Sequence, residues 1–156
     1  MNRRIGIALA TLVAAGIFTY AQGTFSQPTP QVTRKAVNLP GKTIQAPFSD
    51  AILAGNTLYL AGRIGLDPKT GKAPDKIEDE IKILLDGEKD VLAQAGMTMD
   101  DLVYVQVFCT DLTLFDKFNP IYKSYFTKDF PARAFIGAGS LLRGGHFELQ
   151  AIAVKP

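Results

Sequence analysis

Phe130-Pro131-Ala132-Arg133 and, fifteen residues beyond that arginine, Glu148 within Phe147-Glu148-Leu149-Gln150-Ala151-Ile152-Ala153-Val154 decide how the chain reads. Both stretches belong to apolar runs of strand length, so one guanidinium and one carboxylate fall on a mostly buried surface. Charges in that setting need a partner or a task. Arginine reads a carboxylate through two parallel hydrogen bonds, and a glutamate beside it can orient or deprotonate a water. Together they point to a small site for an anionic substrate. The same two residues also read as a structural ion pair, made with each other or with a neighbouring chain.

Working outward, residues 51–54 and 57–64 are short β-rich runs joined by Gly55-Asn56, which predicts a hairpin. After the turn cluster Asp67-Pro68-Lys69-Thr70-Gly71, apolar residues at Ile77, Ile81, Leu84, Leu85, Val91, Leu92 and Ala95 recur at helical spacing. Asp75 with Glu78 reads as the cap of that helix and Gly96 as its stop. Gly87 inside it costs roughly 1 kcal/mol relative to alanine and suggests that another backbone approaches closely. Residues 102–110 alternate as a strand. A second, shorter helix carries Phe115, Phe118, Ile121, Tyr122, Tyr125 and Phe126, with Asn119 as its cap and Pro120 in its first turn. Its aromatic stripe reads as core. Strands at 133–138 and 146–154 complete the order β-β-α-β-α-β-β, an α+β domain with two helices on one face of a mixed sheet. The other face keeps apolar residues such as Val105, Val107 and Ile136 or their alternates, and self-association is the economical way to cover it.

Lys and Arg number 17 against 15 for Asp and Glu, but Arg3 and Arg4 supply the whole excess. The remaining chain is formally neutral, which argues against a nucleic-acid footprint. Asn2-Arg3-Arg4, the apolar run 5–20 and Thr19-Tyr20-Ala21 read as a signal peptide over residues 1–21, so a periplasmic or secreted protein is expected. Sixteen apolar residues fall short of the roughly 20 that span a bilayer, so membrane association is expected only if the leader is uncleaved. Residues 22–34, with Pro28 and Pro30, read as a tether to a domain at 35–156. Cys109 is the one cysteine and His146 the one histidine. Cys109 lies on the apolar side of its strand and reads as structural, His146 as a loop or strand-edge residue. His/Cys metal sites and a Ser-His-Asp triad lack their members.

Asp67-Pro68-Lys69-Thr70-Gly71 through Pro74, Phe130-Pro131-Ala132-Arg133 and the run from Glu148 to Val154 resemble the reactive intermediate deaminase family, also called Rid or YjgF, over residues 35–156. The resemblance implies a chorismate-mutase-like protomer in a homotrimeric barrel with sites in the clefts between subunits. It implies hydrolysis of 2-imino or 2-enamino acids to 2-oxo acids and ammonia without metal or organic cofactor. Arg133 would then grip the substrate carboxylate, and Glu148, with the backbone carbonyl of Phe135, would place a water. Gly62 would let the backbone come close to the ligand.

Departures from the family pattern fall among the implied substrate-binding residues. Ala46-Pro47-Phe48 stands for Gly-Pro-Tyr. Ala61-Gly62-Arg63 replaces a serine before the glycine and a glutamine after it, and Phe135 replaces a cysteine. A more apolar lining with an added cation at Arg63 implies a larger or different acid, a slower enzyme, or a non-catalytic binder of small carboxylates or apolar ligands. The endoribonuclease activity of some relatives is a further alternative, against which the neutral charge and the single histidine weigh.

Overall fold

The computed structural model describes residues 31–41 and 47–155. The expected leader and most of the expected tether lie outside these residues. No helix among the described residues is long and apolar enough to cross a membrane. Six strands, β1 (Arg34–Val37), β2 (Ala51–Ala54), β3 (Thr57–Ile64), β4 (Leu102–Cys109), β5 (Ala132–Gly137) and β6 (Phe147–Val154), form one sheet in the order β1-β2-β3-β6-β4-β5. Helices α1 (Ile77–Gln94) and α2 (Phe115–Lys123) follow β3 and β4. The pairing of β4 with β5 is parallel and the other pairings are antiparallel, which makes the sheet mixed as expected. The α+β reading therefore holds with one strand added. Strand β1 begins at Arg34, inside the expected tether, and pairs with β2 from Arg34–Ala54 to Val37–Ala51.

The helices lie on one face because strand alternation sends apolar side chains there. Val105, Val107 and Cys109 of β4, Phe147, Leu149, Ala151 and Ala153 of β6, and Leu58 and Leu60 of β3 meet Ile81, Leu84, Leu85, Val91 and Leu92 of α1. Full burial of each valine, leucine, isoleucine or phenylalanine among them contributes about 1.5–3 kcal/mol. Val105 and Val107 belong to this covered face, so the open face carries their alternates, Tyr104, Gln106 and Phe108, beside Tyr59, Ile136, Glu148 and Ile152.

Two helix boundaries differ from expectation. Lys76 occupies the cap position of α1 without a side-chain hydrogen bond, so Asp75 lies too early to cap it, while Glu78, Asp79 and Glu80 favour the positive end of the helix dipole. Its stop is as expected: Gly96 adopts φ +69° and Met97 N donates to Leu92 O. Helix α2 begins five residues before Pro120, because Asp111 caps a preceding 3-10 turn by accepting from Thr113 N at 2.9 Å. Proline removes the amide that would bond Asp116, but both residues are exposed and the freed carbonyl can reach water.

Phe118, fully buried, stacks with Tyr122 at 5.7 Å and meets Phe135 and Phe147 at 5.5 and 5.0 Å between ring centroids. Phe118→Ala is expected to lower unfolding free energy in urea titrations by about 3–5 kcal/mol, because the void it leaves is walled by rings that repack poorly.

Candidate active site

Arg133 pairs with Val105, and Val105 with Ala151, so its side chain belongs to the helix-covered face. There, at the β5 edge, Nη2 donates to Asn119 Oδ1 at 2.7 Å. The guanidinium carbon lies 4.6 Å from the Tyr122 ring centre, 5.7 Å from Phe135, 5.8 Å from Phe115 and 6.0 Å from Phe118. No carboxylate among the described residues forms a salt bridge with it. A guanidinium has five N–H donors, so most remain available. They sit beside a hollow of about 180 Å³ lined by Asn119, Tyr122, Lys123, Phe130, Pro131 and Arg133 itself. Burial pushes the Tyr122 phenol up to about 12, against the opposing pull of Arg133. Tyr122 therefore stays neutral under the cation.

Glu148 pairs with Phe108 and Ile64, and Phe108 with Ile136, which sets its carboxylate on the open face. Within one protomer the two charges point to opposite sides of the sheet. The expectation that they share one surface is corrected by this register, and an ion pair between them in one chain is excluded. Glu148 lies against Gly62, where a built Cβ would overlap its carboxylate oxygen. Gly62 occupies a β-bulge, for β3 steps from Leu60 to Arg63 while β6 steps only from Ala151 to Leu149. Ala61 and Phe48 line one open-face groove of about 660 Å³ with Arg34, Tyr59 and Leu60.

Two other expected lining residues lie elsewhere. The Phe135 side chain packs edge-on against Phe115 at 5.1 Å, as part of the bed under Arg133. Arg63, paired with Leu149, points to the covered face beneath α1. Its Nε lies 3.7 Å from Glu88 Oε1 and its Nη2 3.6 Å from Asp50 Oδ1. It adds no cation to the open-face groove. Gly87 admits the Arg63 side chain rather than another backbone.

Sequence reasoning treated Asn119 as a helix cap and the aromatic stripe as core. The usable signal was that Asn119 falls one turn after Phe115 and one turn before Tyr122 on the same stripe of the helix surface. It also passed over Glu80, which is fully buried and accepts from His146 N at 2.6 Å and Phe147 N at 3.0 Å. Glu80 Oε2 lies 2.7 Å from His146 Nδ1, so this carboxylate ties α1 to the start of β6. Cys109 is buried, as expected, and burial pushes its thiol up, away from the reactive thiolate. Among the described residues no cluster of three His, Cys, Asp or Glu is placed to hold a metal ion.

Residues 41–155 match the family model described as endoribonuclease L-PSP. The chain belongs to this family, which includes the Rid and YjgF proteins. It is 36% identical over 110 residues to a Bos taurus protein named 2-iminobutanoate/2-iminopropanoate deaminase, covering 70% of this chain and 80% of that one. The Homo sapiens protein of the same name is 34% identical over 110 residues, with the same coverage. The structure is similar to the Escherichia coli YjgF gene product, with a TM-score of 0.71 and 30% identity over 78% of this chain and 99% of that chain. A Rid family protein from Yersinia pestis gives a TM-score of 0.71 and 31% identity, with the same coverage of both chains.

Burial raises Glu88 to about 8, outweighing the attraction of Arg63. In the unfolded chain it ionises near its ordinary 4.5. The folded state therefore holds the proton more tightly. Its contribution is fully present below about pH 4.5 and is lost as pH rises to about 8. Denaturant titrations across that range should show stability declining with pH, and Glu88→Gln should flatten the decline.

Proposed function

We propose that the protein hydrolyses 2-imino or 2-enamino acids to 2-oxo acids and ammonia, at sites formed between copies of the chain. The observation that carries this reading is an arginine with unpaired donors beside a hollow, held by aromatic rings and a neutral amide instead of a carboxylate. Relatives named as iminobutanoate and iminopropanoate deaminases support the reaction class. Since Arg133 and Glu148 of one copy face opposite sides of the sheet, a substrate reaching both must lie between two copies. Tyr59 and Ile136 leave apolar surface on the open face for such a partner, and a homotrimer closes the arrangement.

In this reading Arg133 holds the substrate carboxylate, each charge-assisted hydrogen bond contributing about 1.5–3 kcal/mol. Glu148 of the adjoining copy takes a proton from a water as its oxygen attacks the imine carbon. The C=N electron pair collects on nitrogen, which takes that same proton from the Glu148 carboxyl and so restores the carboxylate. Collapse of the resulting carbinolamine breaks the C–N bond, returns a proton from oxygen through the carboxylate, and releases ammonia and the 2-oxo acid. Ala61 and Phe48 in an open-face groove also fit a non-catalytic binder of small carboxylates. Saturable binding with no ammonia from any imino acid would select that reading.

Ammonia release from freshly generated imino acids tests the proposal. Arg133→Ala should lower kcat/KM at least about 100-fold through loss of two charge-assisted bonds, and Glu148→Gln should lower kcat about 10²- to 10⁴-fold. Wild-type turnover in both variants would contradict it.

A further inference from the structure

We propose that Arg63 is a positioning residue, clamped between α1 and the entry to β2 so that the β3 bulge holds Gly62 against the Glu148 carboxylate. The proposal rests on the imine-hydrolase reading for its kinetics and on geometry alone for its structural part. Arg63 directly follows the bulged pair Ala61-Gly62, the one place where the β3 to β6 ladder loses register. A bulge is the softest point of a ladder because its extra residue lacks a cross-strand partner. Here that softness lies directly under the carboxylate that must face a water.

Three contacts restrain it. Ala61 N donates to Asp50 O at 2.9 Å. Asp50 is itself fixed, its Oδ2 accepting from Leu39 N at 2.9 Å and its amide donating to Asn38 Oδ1 at 2.9 Å. The Arg63 guanidinium then reaches Asp50 on one side and Glu88 on the other. Its stem lies in the slot left by Gly87, where a Cβ would stand 2.8 Å from Arg63 Cδ, 3.1 Å from Nη1 and 3.2 Å from Nε. An alanine there would have to displace the Arg63 side chain, which gives this mid-helix glycine a reason to be there.

The clamp has a loose jaw. Arg63 Nε and Glu88 Oε1 are both enclosed and neither makes a hydrogen bond. Glu88, 1% exposed, keeps its proton to about pH 8. The charged groups facing it are Arg63 on β3 and Asp50 before β2. Ionisation of Glu88 would draw the guanidinium toward α1 and shift the bulge with it.

A merely structural Arg63 and a positioning one differ in what they change. In the imine-hydrolase reading the carboxylate grip resides on Arg133 of the adjoining copy, while Arg63, beneath α1 on the covered face, contacts Asp50 and Glu88 and takes no part in the grip. Disturbing Arg63 should therefore affect water placement and kcat while leaving KM nearly alone. We would measure kcat, KM and amide hydrogen exchange at Ala61, Gly62 and Leu149 in wild type, Arg63→Gln, Gly87→Ala and Glu88→Gln. Expected are a kcat about 10- to 100-fold lower with KM within about twofold in Arg63→Gln and Gly87→Ala, faster exchange at Gly62, and loss in Glu88→Gln of a kcat inflection near pH 8. Wild-type kcat with unchanged exchange in both the Arg63 and Gly87 variants would overturn the proposal, as would an effect on KM alone. If one variant fails to fold, the other decides. If the wild type releases no ammonia, the hydrolase reading fails. Exchange at Gly62 then decides by itself, faster in the variants supporting the clamp and unchanged exchange overturning it.

Discussion

The period of two along a β-strand governs this molecule. Register carries Arg133 through Val105 to Ala151 and carries Glu148 through Phe108 to Ile136, so the two charges belong to different faces of one sheet. No rotamer choice can bring them together, because the sheet lies between them. In the proposed reading, that parity turns an apparently simple pair into two half-sites, each incomplete in a single chain. It also explains how a half-buried arginine can lack a carboxylate: the group it would pair with is on the wrong side.

What holds each half differs in kind. Arg133 rests on aromatic rings, where each cation–π contact contributes about 0.5–2 kcal/mol depending on desolvation, and Asn119 fixes one edge of its fork. A neutral amide and aromatic faces restrain the cation without quenching it. Glu148 instead depends on absence, since a Cβ at position 62 would push its carboxylate out of place. The bulge that supplies this room is a weak point in the ladder, tied by Asp50 and Arg63 to the segment before β2 and to α1.

Much of the architecture was legible in the sequence because the signals were local. The hairpin of β2 and β3 follows from Gly55-Asn56 between β-rich runs, and the stop of α1 from Gly96. Strand β1 was missed because four residues with exposed Arg34, Lys35 and Ala36 carry no alternation to read. The start of α2 was misplaced because Pro120 is a strong local marker, while the deciding cap, Asp111, acts through a 3-10 turn upstream. Arg133, Glu148 and Gly62 could be singled out from the chain. Their faces could not, since parity within a strand is visible in a sequence but register between strands is not. Arg63 was assigned to the pocket for the same reason, its partners Glu88 and Asp50 being distant in the chain and joined only by folding.

The division of the site between copies is tested most directly by mixing two inactive chains. Arg133→Ala and Glu148→Gln proteins would be co-refolded in equal amounts and assayed for ammonia release from a 2-imino acid. If each site draws its arginine from one copy and its glutamate from another, random mixing restores about a quarter of wild-type sites, because an intact pair forms wherever the right neighbours meet. A mixture no more active than its two components, with mixed assemblies present, would contradict the account.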